Sequence, residues 1–160
     1  MQTSFTENQL KDKDNKTSET IIRKCVHCGM CNATCPTYGI NGEELEGPRG
    51  RIYLIKDMLE NKKPATKQIA KHIDSCLSCY SCMTTCPSGV NYMHLIDHGR
   101  NYVEETYKRP FFDRLFRNIL SFVLPRPKVF LLMAWSSKII KPFSFLFPKF
   151  LKNALSLMPN

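Results

Sequence analysis

Apolar side chains recur at intervals of three and four residues in several parts of the chain, and this spacing predicts helices. Ile52, Ile55 and Leu59 form one such stripe, which predicts a helix over Arg49–Glu60 with Pro48 in its first turn. No segment shows the sustained alternation of apolar and polar residues that marks a half-buried strand. The pattern therefore predicts an all-α fold.

Further helices are predicted on either side of this one. A short helix begins after Ser18, which can act as its N-cap, and ends at Cys25. Another runs from about Thr66 to Ser75 and buries Ile69 and Ile73. A longer helix starts at Asn91, a good capping residue, and carries its last apolar side chains near residue 107.

All eight cysteines stand in two copies of the motif C-x2-C-x2-C-x3-C-P, one ending at Pro36 and one at Pro87. This spacing ligates cubane iron–sulfur clusters, and in two-cluster ferredoxins the fourth cysteine of each copy serves the other cluster. The sequence therefore predicts two [4Fe–4S] clusters. We assign Cys25, Cys28, Cys31 and Cys86 to the first cluster, and Cys76, Cys79, Cys82 and Cys35 to the second.

The spacing has a physical reason. Three thiolates separated by two residues can wrap one backbone turn around three corners of a cube, with amide N–H groups turned inward toward the sulfurs. Proline has no donor and biases the preceding residue away from helical geometry. Cys35 and Cys86, each followed by proline, are therefore expected to point toward the partner cluster.

Two other uses of cysteine fit less well. Zinc sites usually combine two well-separated C-x2-C pairs, often with histidine, and disulfides need an oxidising compartment. The polar start of the chain lacks the apolar core of a secretory signal. Because the cysteines complete both coordination shells, we expect none of the four histidines to be a ligand: His27, His72, His94 and His98.

Charge divides the chain near Arg109. Residues 1–108 hold 14 Lys and Arg against 13 Asp and Glu, whereas residues 109–160 hold nine basic residues and one acid. The second part also contains nine of the ten phenylalanines and the single tryptophan. We predict a polar mobile arm over 1–18, a two-cluster domain over 19–108 and a basic, aromatic-rich amphipathic tail over 109–160.

The tail is too interrupted to span a membrane. Its longest apolar run, Val129 to Trp135, has seven residues, whereas spanning needs about 20. Apolar residues at helical spacing over 111–120 predict a basic amphipathic helix, which can dock on a partner or lie on an anionic membrane surface. We favour the partner. Nucleic-acid binding is not expected, because the Phe-rich, Pro-broken pattern matches no groove-reading motif.

Charged residues also precede and begin the central helix. Arg49 and Arg51 lie in its first turn, where basic residues oppose the helix dipole. They either balance cluster charge, face a partner or form an ordinary basic turn. Glu43, Glu44 and Glu46 are expected to form a solvated loop that could meet these arginines. Nucleotide-binding motifs and a legible Ser–His–Asp pattern are lacking, so we predict no catalytic residue for an organic substrate.

Three segments resemble the iron–sulfur subunit of bacterial glycolate oxidase: Cys25–Tyr38, Glu44–Lys56 and Cys76–Val90. The stretch G-P-R-G-R-I-Y-L-I-K within the second makes this resemblance specific. The resemblance implies an α-helical ferredoxin domain that relays electrons from an FAD-binding subunit, which oxidises glycolate to glyoxylate, to a quinone or another acceptor. It also implies a cytoplasmic location, with peripheral contact at the inner face of the cell membrane as an option.

Members of this family continue into repeats marked by Cys-Cys-Gly, whereas this sequence has no cysteine after Cys86. The chain is therefore expected to be either the truncated N-terminal part of such a subunit or one piece of a split one. Two alternatives stay open for the function. One is a stand-alone ferredoxin-like carrier, and the other is the iron–sulfur subunit of a lactate or glycerol-3-phosphate dehydrogenase.

Overall fold

The computed structural model describes residues 1–140, and the chain divides into two compact units, Met1–Lys108 and Arg109–Asn160. Residues 1–140 contain helices and no strand, which confirms the all-α prediction. The first unit contains α1 (Glu7–Leu10), α2 (Lys13–Lys24), α3 (Pro36–Asn41), α4 (Pro48–Asn61), α5 (Lys67–Asp74), α6 (Ser81–Thr85) and α7 (Tyr92–Thr106), with 3₁₀ turns at Met30–Asn32 and Glu44–Glu46.

Helix α4 is central to the first unit and contacts α2, α5 and α7. Its predicted stripe of Ile52, Ile55 and Leu59 is buried, and each such side chain contributes about 1.5–3 kcal/mol when removed from water. Helices α4 and α7 cross closely at Gly99, where an added Cβ would lie 2.8 Å from Cγ1 of Ile55. Glycine is required there because it lets the two backbones approach.

Several helix ends follow the sequence prediction. Pro48 is the first residue of α4. Thr66 caps α5, since its Oγ1 accepts a hydrogen bond from the backbone N–H of Ile69 at 3.3 Å. Asn91 caps α7 by accepting from the N–H of His94, also at 3.3 Å. Local capping chemistry therefore sets where these helices begin.

The start of α2 differs from the prediction. The N-cap is Asp12, whose carboxylate accepts from the backbone N–H groups of Asp14 at 2.8 Å and Asn15 at 2.9 Å. The proposed cap at Ser18 is wrong. Ser18 lies inside α2 and is buried, with its Oγ 2.7 Å from Nδ1 of His98 on α7.

The first 18 residues also contain more structure than their polar composition predicts. Besides the first turns of α2, they include α1, on which Gln9 is buried. The Gln9 side-chain amide donates to the carbonyls of Leu59 at 2.8 Å and Glu60 at 2.9 Å, near the end of α4. A polar side chain can be buried when it is paired in this way, which hydropathy alone does not reveal.

The described part of the second unit contains α8 (Phe111–Val123) and α9 (Pro127–Ile140). Helix α8 exposes Phe111 and Phe112, by 72% and 82%. On its polar side, Nε of Arg117 lies 3.2 Å from Oδ1 of Asp113. None of the helices within residues 1–140 is long and apolar enough to cross a bilayer. The predicted tail over 141–160 lies outside the described residues.

Candidate iron–sulfur cluster sites

The two cysteine motifs form loops with the same unusual backbone. In the first loop, His27 and Gly29 have φ values of 60° and 82°; at the equivalent positions of the second loop, Ser78 and Tyr80 have 51° and 56°. These positions flank the second cysteine of each motif. Left-handed geometry at a non-glycine residue costs about 1–3 kcal/mol, so its repetition indicates a shared structural requirement. Turns of this kind form concave sets of N–H groups that bind anions.

The fourth cysteine of each motif leaves its loop in an extended conformation. Cys35 has ψ 117° and Cys86 has ψ 111°, and each is followed by its proline. This is the departure from helical geometry that the sequence predicts for a residue before proline. The chain changes direction at both points, which carries each fourth cysteine away from the other three of its own motif.

The cysteines line two cavities that share part of their walls. The first cavity is lined by Cys25, Cys28, Cys31, Cys82 and Cys86, and the second by Cys35, Cys76, Cys79 and Cys82. Each predicted ligand set therefore meets at one cavity, with its fourth member coming from the other motif. The crossed assignment of ligands stays a prediction, and this arrangement supports it.

The lining of these cavities suits an inorganic group. Both cavities are open to solvent, and their non-atom space, counted with the solvent at the mouth, is about 440 Å³ in the first and 290 Å³ in the second. Pro48 and Tyr92 line both cavities and Ile52 lines the first, so much of the wall is apolar. Soft thiolate donors around such a space are the ligands that iron–sulfur clusters use.

The thiols differ in acidity according to their surroundings. Burial, helped by the charge of Cys25, raises the pKa of Cys31 to about 11, and burial raises the pKa of Cys82 to about 12. Hydrogen bonds from the backbone and hydroxyl of Ser81 instead lower the pKa of Cys79. None of the eight cysteines, all in the described part of the chain, forms a disulfide. Because metal ligation needs thiolates, cluster binding releases protons from the buried thiols.

The histidines occupy different environments. His27 lines the first cavity, with its ring centroid 6.3 Å from that of Tyr53. His72 is on α5, and its Nδ1 lies 2.7 Å from Oε1 of Glu46. The rings of His94 and His98 lie 6.3 Å apart on α7, and burial lowers the pKa of His98.

The two arginines of the first turn of α4 line different cavities. Arg49 lines the first cavity; its side chain is 34% exposed, and its Nε donates to Oε1 of Glu44 at 2.5 Å. Arg51 lines the second; its side chain is 1% exposed, and its Nη2 lies 2.9 Å from Oε2 of Glu46. Each arginine therefore has its own acidic partner, one at the surface and one in the interior.

The expectation of a solvated acidic loop is wrong for Glu46, which is buried. Burial alone would favour its neutral form, but hydrogen bonds from Ser75 and His72 and the charge of Arg51 lower its pKa below the ordinary value. The expectation fails because spacing cannot reveal that α4 and α5 surround this carboxylate with donors. The hydrogen bond from Arg49 likewise lowers the pKa of Glu44.

Sequence reasoning missed two residues that contact sulfurs of the predicted ligands. Oγ1 of Thr37 lies 3.2 Å from Sγ of Cys35, and the Tyr92 hydroxyl donates to Sγ of Cys76 at 3.7 Å. Burial raises the pKa of Tyr92, so this hydroxyl keeps its proton and can donate. Thr37 directly follows a Cys-Pro pair, which is a usable signal, whereas sequence alone does not separate Tyr92 from the other tyrosines.

A family model described as a 4Fe-4S dicluster domain matches residues 21–90, the part of the chain that forms both loops. The chain therefore carries a 4Fe-4S dicluster domain. Together with the eight cysteines, the dicluster domain indicates two [4Fe–4S] clusters, as predicted from the repeated motif.

Curated relatives indicate which kind of iron–sulfur subunit the chain resembles. The chain is 48% identical over 143 residues to the glycolate oxidase iron–sulfur subunit of Escherichia coli (strain K12), covering 89% of this chain and 35% of that protein. It is 32% identical over 117 residues to the probable glycolate oxidase iron–sulfur subunit of Bacillus subtilis (strain 168), covering 70% and 26%. The resemblance to this kind of subunit, first drawn from short motifs, is confirmed.

Similarity to other iron–sulfur subunits is weaker and shorter. The succinate dehydrogenase iron–sulfur subunit of Paracoccus denitrificans is 28% identical over 76 residues, or 44% of this chain and 29% of that protein. The chain spans about a third of the length of the Escherichia coli relative. No solved structure matches the chain.

Proposed function

We propose that the chain is the cluster-binding part of an iron–sulfur electron-transfer subunit of an FAD-dependent glycolate oxidase. In this proposal, a flavin subunit oxidises glycolate to glyoxylate, and the clusters relay the electrons to a quinone or another acceptor. The observation that carries it is the meeting of two complete cysteine sets at two cavities, in a chain 48% identical to a glycolate oxidase iron–sulfur subunit. The chain itself binds no organic substrate.

The cysteines hold the clusters in crossed sets. Cys35 joins the cavity of the second motif, and Cys86 joins the cavity of the first. When bound, [4Fe–4S] clusters supply one-electron transfer at potentials that depend on net charge, hydrogen bonds to sulfur and solvent exposure. The apolar walls would limit access of water, and left-handed turns such as those of the two loops are of the kind that present backbone N–H groups to an anion. Exposed Cys28 and Cys79 lie where electrons can enter or leave.

Anaerobic reconstitution of the full chain tests this function. We expect about eight irons per polypeptide, followed by bleaching of cluster absorbance when the flavin subunit and glycolate are added. The same reaction with lactate or glycerol 3-phosphate tests the alternative dehydrogenases. Ser88 lines the first cavity but is not a cysteine. The control variant Ser88→Ala should therefore keep its full iron content. Zinc in place of iron, or loaded clusters that glycolate does not bleach, would contradict the proposal.

The exposed face of α8 supports a second part of the proposal. Phe112, Phe116 and Phe122 are 82%, 56% and 54% exposed on a helix whose opposite side carries Asp113 and Arg117. We propose that this face docks on a neighbouring part of the complex, in the cytoplasm at the inner face of the cell membrane.

Binding to the flavin subunit measures protein docking, and sedimentation with vesicles measures lipid binding. The chain should bind the flavin subunit, and Phe112→Glu should weaken that binding, because it places a charge in the apolar contact. Asn118→Glu, which makes the same change at a polar position of α8, is the matched control. Strong binding to vesicles containing anionic lipid, lost in the Phe112→Glu variant, would instead assign this face to the membrane.

A further inference from the structure

The second cavity contains a buried arginine for which the proposed function gives no role. Nε of Arg51 donates to the carbonyl of His72 at 2.7 Å. Its Nη2 donates to Oε2 of Glu46 and to Oγ of Ser75, both at 2.9 Å. These partners lie on or directly after α5 and on the 3₁₀ turn before α4. The rigid fork of the guanidinium group is therefore held from several sides in one orientation.

The same guanidinium group lies against the crossing ligand of this cavity. Nη1 of Arg51 is 4.0 Å from Sγ of Cys35, and Nη2 is 3.2 Å from Oγ1 of Thr37. Thr37 in turn lies 3.2 Å from the same sulfur and donates to the carbonyl of Glu46 at 2.7 Å. Cys35 is thus bordered by the buried positive charge of Arg51, by the hydroxyl group of Thr37 and by the backbone carbonyl of Glu46, which lies 3.7 Å from the sulfur.

The first cavity has a different arrangement. Arg49 lies over the backbone of the loop, since a Cβ added at Gly29 would be 2.8 Å from Nη1 of Arg49. Its side chain is 34% exposed and is paired with Glu44. Among residues 1–140, no arginine or hydroxyl side chain is seen to hydrogen-bond a thiol of the first ligand set. Charge at an exposed site is screened by water and salt, whereas charge in the interior is screened much less.

We propose that Arg51 positions Cys35 and gives the cluster of the second cavity a higher reduction potential than the cluster of the first. The physical reason is that a nearby buried cation stabilises the more negative, reduced state. The carboxylate of Glu46 is shared with Ser75 and His72, whereas Nη1 of Arg51 makes its contact with Sγ of Cys35, so we expect the cation to have the larger effect at this sulfur. With both clusters bound, this difference would favour the electron on the cluster held by Cys35, Cys76, Cys79 and Cys82, and no bond would form or break in the transfer.

This inference depends on the proposed function only in requiring both clusters. Its test is a redox titration of the reconstituted full chain, monitored by electron paramagnetic resonance. Cys28→Ser and Cys79→Ser assign the two signals, because each of these cysteines lines one cavity alone. Arg51→Met should lower the reduction potential of the second cluster by at least 59 mV, which changes the equilibrium distribution of one electron between the two clusters tenfold. Arg49→Met is the matched control in the same helical turn. It should change the reduction potential of either cluster by less than Arg51→Met changes that of the second.

Two milder variants cover the case in which Arg51→Met does not retain the second cluster. Thr37→Val removes a hydroxyl group that accepts from Nη2 of Arg51 and leaves the ion pair with Glu46 intact, so it should loosen the guanidinium group beside Cys35 and lower the second potential by a smaller amount. Arg51→Lys keeps the charge, so it should restore most of the potential lost in Arg51→Met while holding the cluster less firmly.

The possible failures are distinct. A wild-type chain that takes up no iron would overturn the proposed function and this inference together. Two clusters with equal potentials, or potentials that Arg51→Met and Thr37→Val leave unchanged, would overturn the inference alone. An equal fall of both potentials in the Arg51→Met variant would also overturn it, because the effect would then not be local to Cys35.

Discussion

The two cysteine loops have the same spacing and the same left-handed backbone positions, but their surroundings differ. The first cavity lies beside an arginine that is partly exposed and paired with a surface glutamate. The second lies beside an arginine that is 1% exposed and paired with a buried glutamate. The backbone geometry of the loops is thus repeated, whereas their electrostatic environment is not. A duplicated motif can in this way hold the same cofactor twice under different conditions.

The largest expected effect comes from exchanging the fourth ligands. Cys35→Ser should remove or alter the second cluster, and Cys86→Ser the first, because each thiol lines the cavity of the other motif. Iron analysis and electron paramagnetic resonance of each variant measure which centre changes. If Cys35→Ser damaged the centre that contains Cys28, the crossed assignment would be wrong.

A second test compares the two acidic partners. Glu46→Ala should cost about 3–5 kcal/mol in the free energy of unfolding, since it leaves the buried Arg51 unpaired. Glu44→Ala removes a partly exposed partner of Arg49 and should cost about 0–1 kcal/mol. Urea unfolding of the two variants under identical conditions gives the difference, and equal losses would contradict the contrast between interior and surface pairs.

The left-handed positions provide a smaller effect. Gly29→Ala should destabilise the first loop by about 1–2 kcal/mol, because φ is +82° and the new Cβ would meet Nη1 of Arg49 at 2.8 Å. Gly89→Ala has φ +59° but no atom within 4 Å of the new Cβ, so it isolates the backbone contribution. Thermal unfolding of both variants should show the greater loss for Gly29→Ala, and equal losses would show that the contact with Arg49 is easily relieved.

The acidities of the thiols predict how the alkylation of cysteines in the cluster-free chain depends on pH. As pH rises from neutral, iodoacetamide should modify Cys79 early and Cys31 and Cys82 last, because thiolate is the reactive form. Peptide mass spectrometry measures this order, and Ser81→Ala should reduce the advantage of Cys79. Early labelling of Cys82 would show that this thiol is not buried in the cluster-free chain.

The same shifts have a consequence for stability without clusters. The pKa values of Cys31 and Cys82 are raised from 9.0 to about 11 and about 12. Between pH 9 and pH 12 the folded chain therefore binds more protons than the unfolded chain. The resulting stabilisation is present below pH 9 and is lost as pH rises toward 12. Urea unfolding at several pH values should show this decline, and stability that rises with pH in this range would contradict it.

Much of the first unit could be predicted from local pattern. The stripe on α4, the start of α5 near Thr66 and the cap at Asn91 are local features, and all are found in the structure. The cap at Ser18 was wrong because a hydroxyl group that suits a helix start also suits a buried contact, here with His98. Local pattern cannot distinguish the two uses, since the partner is 80 residues away.

The sequence by itself indicated two [4Fe–4S] clusters and predicts their eight cysteine ligands, because cysteine spacing is a local property that governs how a loop can surround a metal cluster. It also determined the helical class through the period of its apolar residues. Only the tertiary structure decided that Arg51 and Glu46 lie inside while Arg49 and Glu44 lie near the surface. That difference arises where α4, α5 and the 3₁₀ turn come together, and burial there depends on packing between distant segments rather than on any one of them.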